Sequence, residues 1–169
     1  PELVNKILIS VVDAVEVPVT LKIRTGWDKT TINAIQIANI AENAGISALA
    51  IHGRTRACRF VGEVEYETIA RVTESISIPV FANGDIDSPR KAKDVIEKTG
   101  ATAVMIGRGA LGKPWIFDQI NEYLSHGTLN RQPSKEEIQK VVMTHLKSIH
   151  KFYGESTGLR FARKHMNWY

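Results

Sequence analysis

Cysteine is almost absent from this sequence. With Cys58 alone, the chain cannot build an internal disulfide framework or an all-cysteine zinc site, and a cytoplasmic protein with no bound metal is expected. Long apolar runs are missing too. None reaches the roughly 18 residues that suggest a membrane span, so no membrane partner is expected. The opening, Pro1-Glu2-Leu3, has neither an initiator Met nor the basic-then-hydrophobic pattern of a signal peptide. It runs directly into helix-like sequence, as a fragment or trimmed product would. Low-complexity linkers are also lacking.

Acidic charge is scarce in one part of the chain. The formal net charge is +4. Residues 130–169 carry eight Lys/Arg against three Asp/Glu, and the remainder carries fourteen against fifteen. The whole basic excess therefore sits in the last quarter. This suits a polyanion-facing module joined to a nearly neutral core, or else a solvated helical face.

Four apolar runs alternate with helix-like patterns. A helix is expected over residues 2–15, then a strand over Val19–Arg24 with Pro18 at its start, where a missing N–H does least harm. Near-helical spacing covers 30–44 and stops at Gly45. A second strand follows at Ile46–His52 and a helix at 63–75. Pro79–Ala82 repeats the proline-started strand, and Ser88-Pro89 opens a helix closing at Gly100. The fourth strand is Ala103–Ile106. Such alternation needs crossovers and hence a parallel sheet. After Gly112 the strands stop. Residues 113–124 look helical, Ser134 and Glu137 form a capping-box pattern, Gly154 ends that long helix, and a last basic helix runs from about 157.

A polar or glycine-rich motif follows each strand: Lys22-Ile23-Arg24-Thr25-Gly26, His52-Gly53-Arg54-Thr55, Asn83-Gly84-Asp85 and Gly107-Arg108-Gly109. All four fall on one edge of the sheet, the edge that carries chemistry in (β/α) barrels. By period two, Thr20, Lys22 and Arg24 share a face. A lysine there needs either a ligand anion or a structural ion pair. His52 is read as a ligand contact or acid/base, against a merely packed histidine. The loop after it holds Arg54, Arg56 and Arg59, suited to phosphates or to water, and Cys58 is read as a plain free thiol, with a pKa lowered by Arg59 the alternative. Glycines at strand tips before helix starts fit an anion site, or simply tight turns. On the last helix Arg160, Arg163, Lys164 and Asn167 share one face. Trp168 and Tyr169 follow, a cation-plus-aromatic combination suited to RNA or to an amphipathic helix with a packed aromatic end.

These residues resemble the tRNA-dihydrouridine synthases, most closely the bacterial B-type group. The resemblance rests on Pro18 to Gly26, Ile51 to Arg56, Pro79 to Ile86, Val104 to Ala110 and Arg160 to His165, and it extends over essentially the whole chain. It implies an FMN-binding (β/α)8 barrel followed by a helical domain that helps bind tRNA. In that family NADPH reduces the flavin, which passes hydride to C6 of a uridine while a cysteine protonates C5. Lys22 would then lie against the isoalloxazine, with His52 also in contact. Asn83, Gly84, Asp85, Gly107 and Arg108 would hold the ribityl chain and phosphate. Arg54, Arg56, Arg160, Arg163 and Lys164 become tRNA-contact candidates.

By the same resemblance the chain corresponds to the second half of the barrel, four βα units over residues 1–112, followed by part of the helical domain over 113–169. The proton-donating cysteine is expected in the other half, so no catalytic residue is assigned here and Cys58 does not take that role. Inactivity of the chain alone is expected. So is self-association, because a four-stranded half-barrel has two raw edges. Two competing functions are an FMN barrel acting on a free pyrimidine-like small molecule and a non-catalytic RNA-binding fragment.

Overall fold

The computed structural model describes residues 1–129 and 131–169. Four strands, β1 (Thr20–Arg24), β2 (Ala48–His52), β3 (Val80–Asn83) and β4 (Ala103–Met105), form one parallel sheet in the order β1-β2-β3-β4. Among the described residues there are seven α-helices: α1 (Glu2–Asp13), α2 (Ala34–Asn43), α3 (Glu67–Ser75), α4 (Pro89–Thr99), α5 (Ile116–His126), α6 (Lys135–Tyr153) and α7 (Glu155–Met166). This is an α/β fold whose order fits part of a (β/α) barrel, as the alternating pattern predicts. Among the described residues no helix is long and apolar enough to cross a membrane.

The chain divides into two compact units. One comprises Pro1–Ile86 with Arg90–Gly107, the other Asp87–Pro89 with Arg108–Tyr169. In the first, the alternation of each strand sets two faces. Leu49, Ile51, Val80 and Ala82 are buried on the face that also carries Leu21. A cluster of Leu8, Ala41, Ala44 and Ile46, with Val4, Val12, Val19, Leu21 and Ile40 against it, joins α1 and α2 to the sheet. Burying one such side chain contributes about 1.5–3 kcal/mol, so this cluster anchors the unit. On the opposite face the register aligns Lys22 with Ala50, Phe81 and Ala103, and Arg24 with His52, Asn83 and Met105.

Two helices start later than the sequence spacing suggests. Helix α2 begins at Ala34 because Asp28 Oδ1 accepts hydrogen bonds from the Thr30 amide and from the hydroxyls of Thr30 and Thr31. These local bonds compete with the first helical turn. The amides of Asn33 and Ala34 instead donate to the Thr25 carbonyl, both at 3.1 Å. Helix α3 begins at Glu67 because the Glu65 amide donates back to the Gly53 carbonyl at 2.9 Å, holding the chain extended beside the β2 tip.

The second unit is helical. The Ser134/Glu137 capping box is present, with the Ser134 hydroxyl accepting from the Glu137 amide and the Glu137 carboxylate accepting from the Ser134 amide. Arg131 adds a bidentate pair to that carboxylate at 2.7 and 2.8 Å. Gly154 (φ 74°) turns the chain from α6 into α7. The two helices cross where Gly158 faces the backbone of His150, and a Cβ at Gly158 would lie 3.1 Å from His150 Cα.

Candidate active-site edge

The C-terminal ends of β1, β2 and β3 bring Arg24, His52 and Asn83 into one row, with Lys22 one step below. Lys22 Nζ donates to Asn83 Oδ1 at 3.0 Å, and Asn83 Nδ2 donates to the Met105 carbonyl at 2.7 Å. The amide is thus held from both sides, and Lys22 meets a neutral acceptor rather than the carboxylate of a structural ion pair. Partial burial, then the Arg24 charge, lower the Lys22 pKa from its ordinary value.

His52 is 8% exposed. Burial chiefly, then the charges of Arg24, Lys22 and Arg54, push its pKa down to about 4, with Asp85 opposing. At neutral pH the imidazole is therefore uncharged, with one ring nitrogen able to donate and the other to accept. Gly84 (φ 134°) lies against this ring. A Cβ there would come within 2.8 Å of Val64 and 3.1 Å of His52 Cδ2, so only glycine lets the β3 tip approach so closely. The Gly84 carbonyl accepts from the Tyr66 hydroxyl at 2.7 Å.

The loop after β2 is clamped by two arginines. Arg24 donates to the Thr55 and Arg59 carbonyls, both at 2.8 Å. Arg54 is 4% exposed. It pairs with the Asp85 carboxylate at 2.5 and 3.1 Å and donates to the Gly62 carbonyl. The Asp85 hydrogen bond, foremost, raises the Arg54 pKa. Both Arg59 (φ 51°) and Asp85 (φ 45°) hold left-handed backbone, a conformation that costs a non-glycine residue about 1–2 kcal/mol and is offset here by these bonds.

The sequence places Arg54 among the tRNA-contact candidates. The structure uses its guanidinium internally, because burial leaves it no route to a polyanion without breaking the Asp85 pair. Arg56 is exposed, with its guanidinium 5.7 Å from the Trp27 ring centroid. Gly107 closes the first unit, and a Cβ there would meet open space. Arg108 opens a 3-10 turn over Arg108–Ala110 in the second unit. Arg160, Arg163 and Lys164 are exposed on α7. Sequence reasoning misses the Arg54–Asp85 strut and the Tyr66–Gly84 bond. The single available signal, an arginine beside a strand end, looks the same for a solvated loop.

Does the edge fit an anionic cofactor? Lys22 and Arg24 lie beside a neutral His52, while the Arg54 guanidinium is taken up by Asp85. Open space above the Gly107 backbone lets a ligand reach main-chain N–H groups. The donors suit a phosphorylated or otherwise anionic ligand.

Fold and edge together describe an α/β protein whose parallel sheet fits part of a (β/α) barrel, with polar side chains gathered at its strand ends. The dihydrouridine synthase (Dus) family model matches residues 1–169, and the chain belongs to that family. It is 56% identical over 169 residues to tRNA-dihydrouridine synthase B of Vibrio vulnificus strain CMCP6, spanning 100% of this chain and 52% of the relative. It is 57% identical over 167 residues to the enzyme of that name from Pseudomonas aeruginosa, spanning 99% and 50%. Against that of Salmonella typhimurium strain LT2 the identity is 54% over 169 residues, spanning 100% and 53%. The chain thus spans about half the length of these curated relatives.

Proposed function

We propose that this chain supplies part of the flavin site and part of the RNA-binding surface of an FMN-dependent enzyme. That enzyme reduces uridine to 5,6-dihydrouridine in tRNA with NADPH as reductant. The observation that carries the reading is the strand-end row, where Lys22 is hydrogen-bonded to Asn83 beside an uncharged, buried His52. Names of the relatives support the tRNA substrate.

FMN, when bound, supplies the hydride that NADPH delivers to it. Lys22 would place a cation at the pyrimidine edge of the isoalloxazine. Its bond to Asn83 fixes its direction, and a fixed charge stabilises an anionic ring system better than a mobile one. His52 would contact the cofactor as a neutral hydrogen-bonding group, adding no second positive charge. Asn83, Gly84 and Asp85, with Gly107 and Arg108, are assigned to the ribityl chain and phosphate. The Asp85 carboxylate, held by Arg54, suits a ribityl hydroxyl rather than the phosphate itself. Arg56, Arg160, Arg163 and Lys164 are assigned to tRNA, and Arg54 to holding the loop that carries Arg56. The residue protonating C5 is assigned to a part of the enzyme other than this chain. A helical tRNA-binding role for residues 113–169 and a cytoplasmic location belong to the same proposal.

The test is an absorbance and fluorescence titration of FMN into the chain, with Lys22→Ala beside it. Removing one charge-assisted hydrogen bond corresponds to about a tenfold weaker Kd or more. Equal FMN affinity in the two proteins would remove Lys22 from the site. If the wild-type chain binds tRNA but no FMN, the non-catalytic RNA-binding alternative is favoured.

A further inference from the structure

The sequence couples the cations of α7 to the aromatic pair Trp168 and Tyr169. In the structure Lys164 Nζ lies 5.6 Å from the Trp168 ring centroid, and both rings also meet neighbouring side chains. The Tyr169 hydroxyl and His145 Nδ1 share a hydrogen bond of 3.1 Å. Trp168 meets His165 edge-on with centroids 4.9 Å apart, and Tyr169 stands 6.4 Å from Trp115. The Trp168 carbonyl lies so close to Gly112 that a Cβ there would sit 1.7 Å away. The backbone here is docked against Gly112, while Trp168 is half-buried and Tyr169 remains exposed.

A different set of aromatics faces outward, at the corner where α6 passes into α7. Tyr153 and Phe161 stack with centroids 4.4 Å apart and an interplanar angle of 21°. Phe152 meets Tyr153 edge-on at 4.8 Å and 79°. Phe152 is 80% exposed, Tyr153 45% and Phe161 44%. Beside the stack a shallow hollow of about 420 Å³ is lined by Thr157, Arg160, Phe161 and Lys164. Lys151 precedes Phe152 in sequence, and Glu155, the first residue of α7, is the one acid between 138 and 169.

Three adjoining exposed aromatics need an occupant, since such patches mark interaction sites. The surrounding charge selects among occupants. An apolar protein partner would have to desolvate Arg160 and Lys164 at the patch edge without pairing them. A single-stranded nucleic acid satisfies both features, with bases on ring faces and phosphates on the cations.

We propose that Phe152, Tyr153 and Phe161 form a stacking platform for an unpaired nucleotide of the RNA substrate, with Arg160 and Lys164 holding its flanking phosphates. The proposal rests on the RNA reading given above and deepens it by naming where an unstacked base is held.

The test is fluorescence anisotropy of the full 169-residue chain with a labelled oligouridylate, an RNA duplex of the same length, and tRNA, each across a salt series. Phe152→Ala and Phe161→Ala are each expected to weaken oligouridylate binding about tenfold at unchanged salt slope. Phe161→Trp should retain binding. Arg160→Gln with Lys164→Gln should weaken binding and flatten the slope by about 0.7 for each phosphate no longer neutralised. Phe152 is exposed enough that its truncation leaves packing intact, so a folding defect in Phe161→Ala does not rescue the idea.

Wild-type affinity in both phenylalanine variants, or equal affinity for duplex and single strand, would overturn the platform. So would a dimer that Phe152→Ala dissolves while RNA affinity stays constant, which would assign the corner to a second copy. If the wild-type chain binds neither tRNA nor oligouridylate, the RNA reading falls with it. If tRNA binding persists and the phenylalanines are indifferent, only the platform falls.

Discussion

At the scale of the residue, environment decides what each polar group can do. His52 illustrates this. Its folded pKa of about 4 lies below the ordinary 6.5, so between those values the unfolded chain binds a proton that the native state refuses. Stability therefore rises with pH through that window, and it is lost as pH falls from about 6.5 to about 4. The shift corresponds to roughly 3–4 kcal/mol as an upper bound. Urea denaturation of the wild type and of His52→Gln, at intervals between pH 7 and 4, measures it. The wild type should lose stability more steeply on acidification. Parallel curves would mean that His52 is solvated in both states. His145, lowered by burial and by His165, titrates in the same direction, so His145→Gln serves as the control. Glu137, held down to about 2 from 4.5 chiefly by Arg131, starts to lose its contribution only below about 4.5, at the acid end of the window.

Legibility at this scale was partial. Period two puts Lys22 on the ligand face of β1, because alternation is a property of the strand itself. That its partner is Asn83, sixty-one residues on, depends on which strands neighbour one another. The burial of Arg54 has no signal in the sequence that separates it from a solvated arginine. A loop has no period, and three arginines in six residues look alike until one of them finds Asp85.

At the scale of the element, the sequence shows kind more clearly than ends. All four strands were foreseen in order, since each is a short β-rich apolar run between turn signals. The starts of α2 and α3 moved inward because a side chain in one case and a returning backbone in the other took the bonds of the first turn. Capping of α6 was legible because Ser134 and Glu137 satisfy each other within one turn. How α6 meets α7 was not legible. Gly158 is buried where the helices cross, and the atom nearest its notional Cβ, at 3.1 Å, is the His150 Cα, backbone that gives way less readily than a side-chain end. Gly158→Val is expected to prise the helices apart, at a cost of about 1–3 kcal/mol typical of overpacking. Gly158→Ala should cost less, its demand being a shift of a few tenths of an ångström. Thermal melting and the exposure of Trp168, followed by fluorescence quenching, report both. Wild-type melting of Gly158→Val would show that the crossing has slack.

For the whole molecule, the open question is what meets the sheet. Among the described residues, strands β1 and β4 each have one neighbour, and backbone groups on the outer side of an edge strand recruit further strands wherever they are uncovered. The chain is expected to self-associate through them, with sedimentation velocity at tens of micromolar showing species heavier than 18.8 kDa. A monomer across that range would mean that charge and short strand length suffice to blunt the edges. Helix-like patterns, the succession of strands along the chain and the glycine-rich strand tips follow from the sequence alone. They arise from forces acting over a few residues: side-chain period, caps and backbone freedom. The Lys22–Asn83 pair, the Arg54 strut, the uncharged His52 and the outward-facing Phe152 corner were decided only by tertiary structure. Each depends on groups distant in sequence, and burial and charge proximity have no value until the chain has folded.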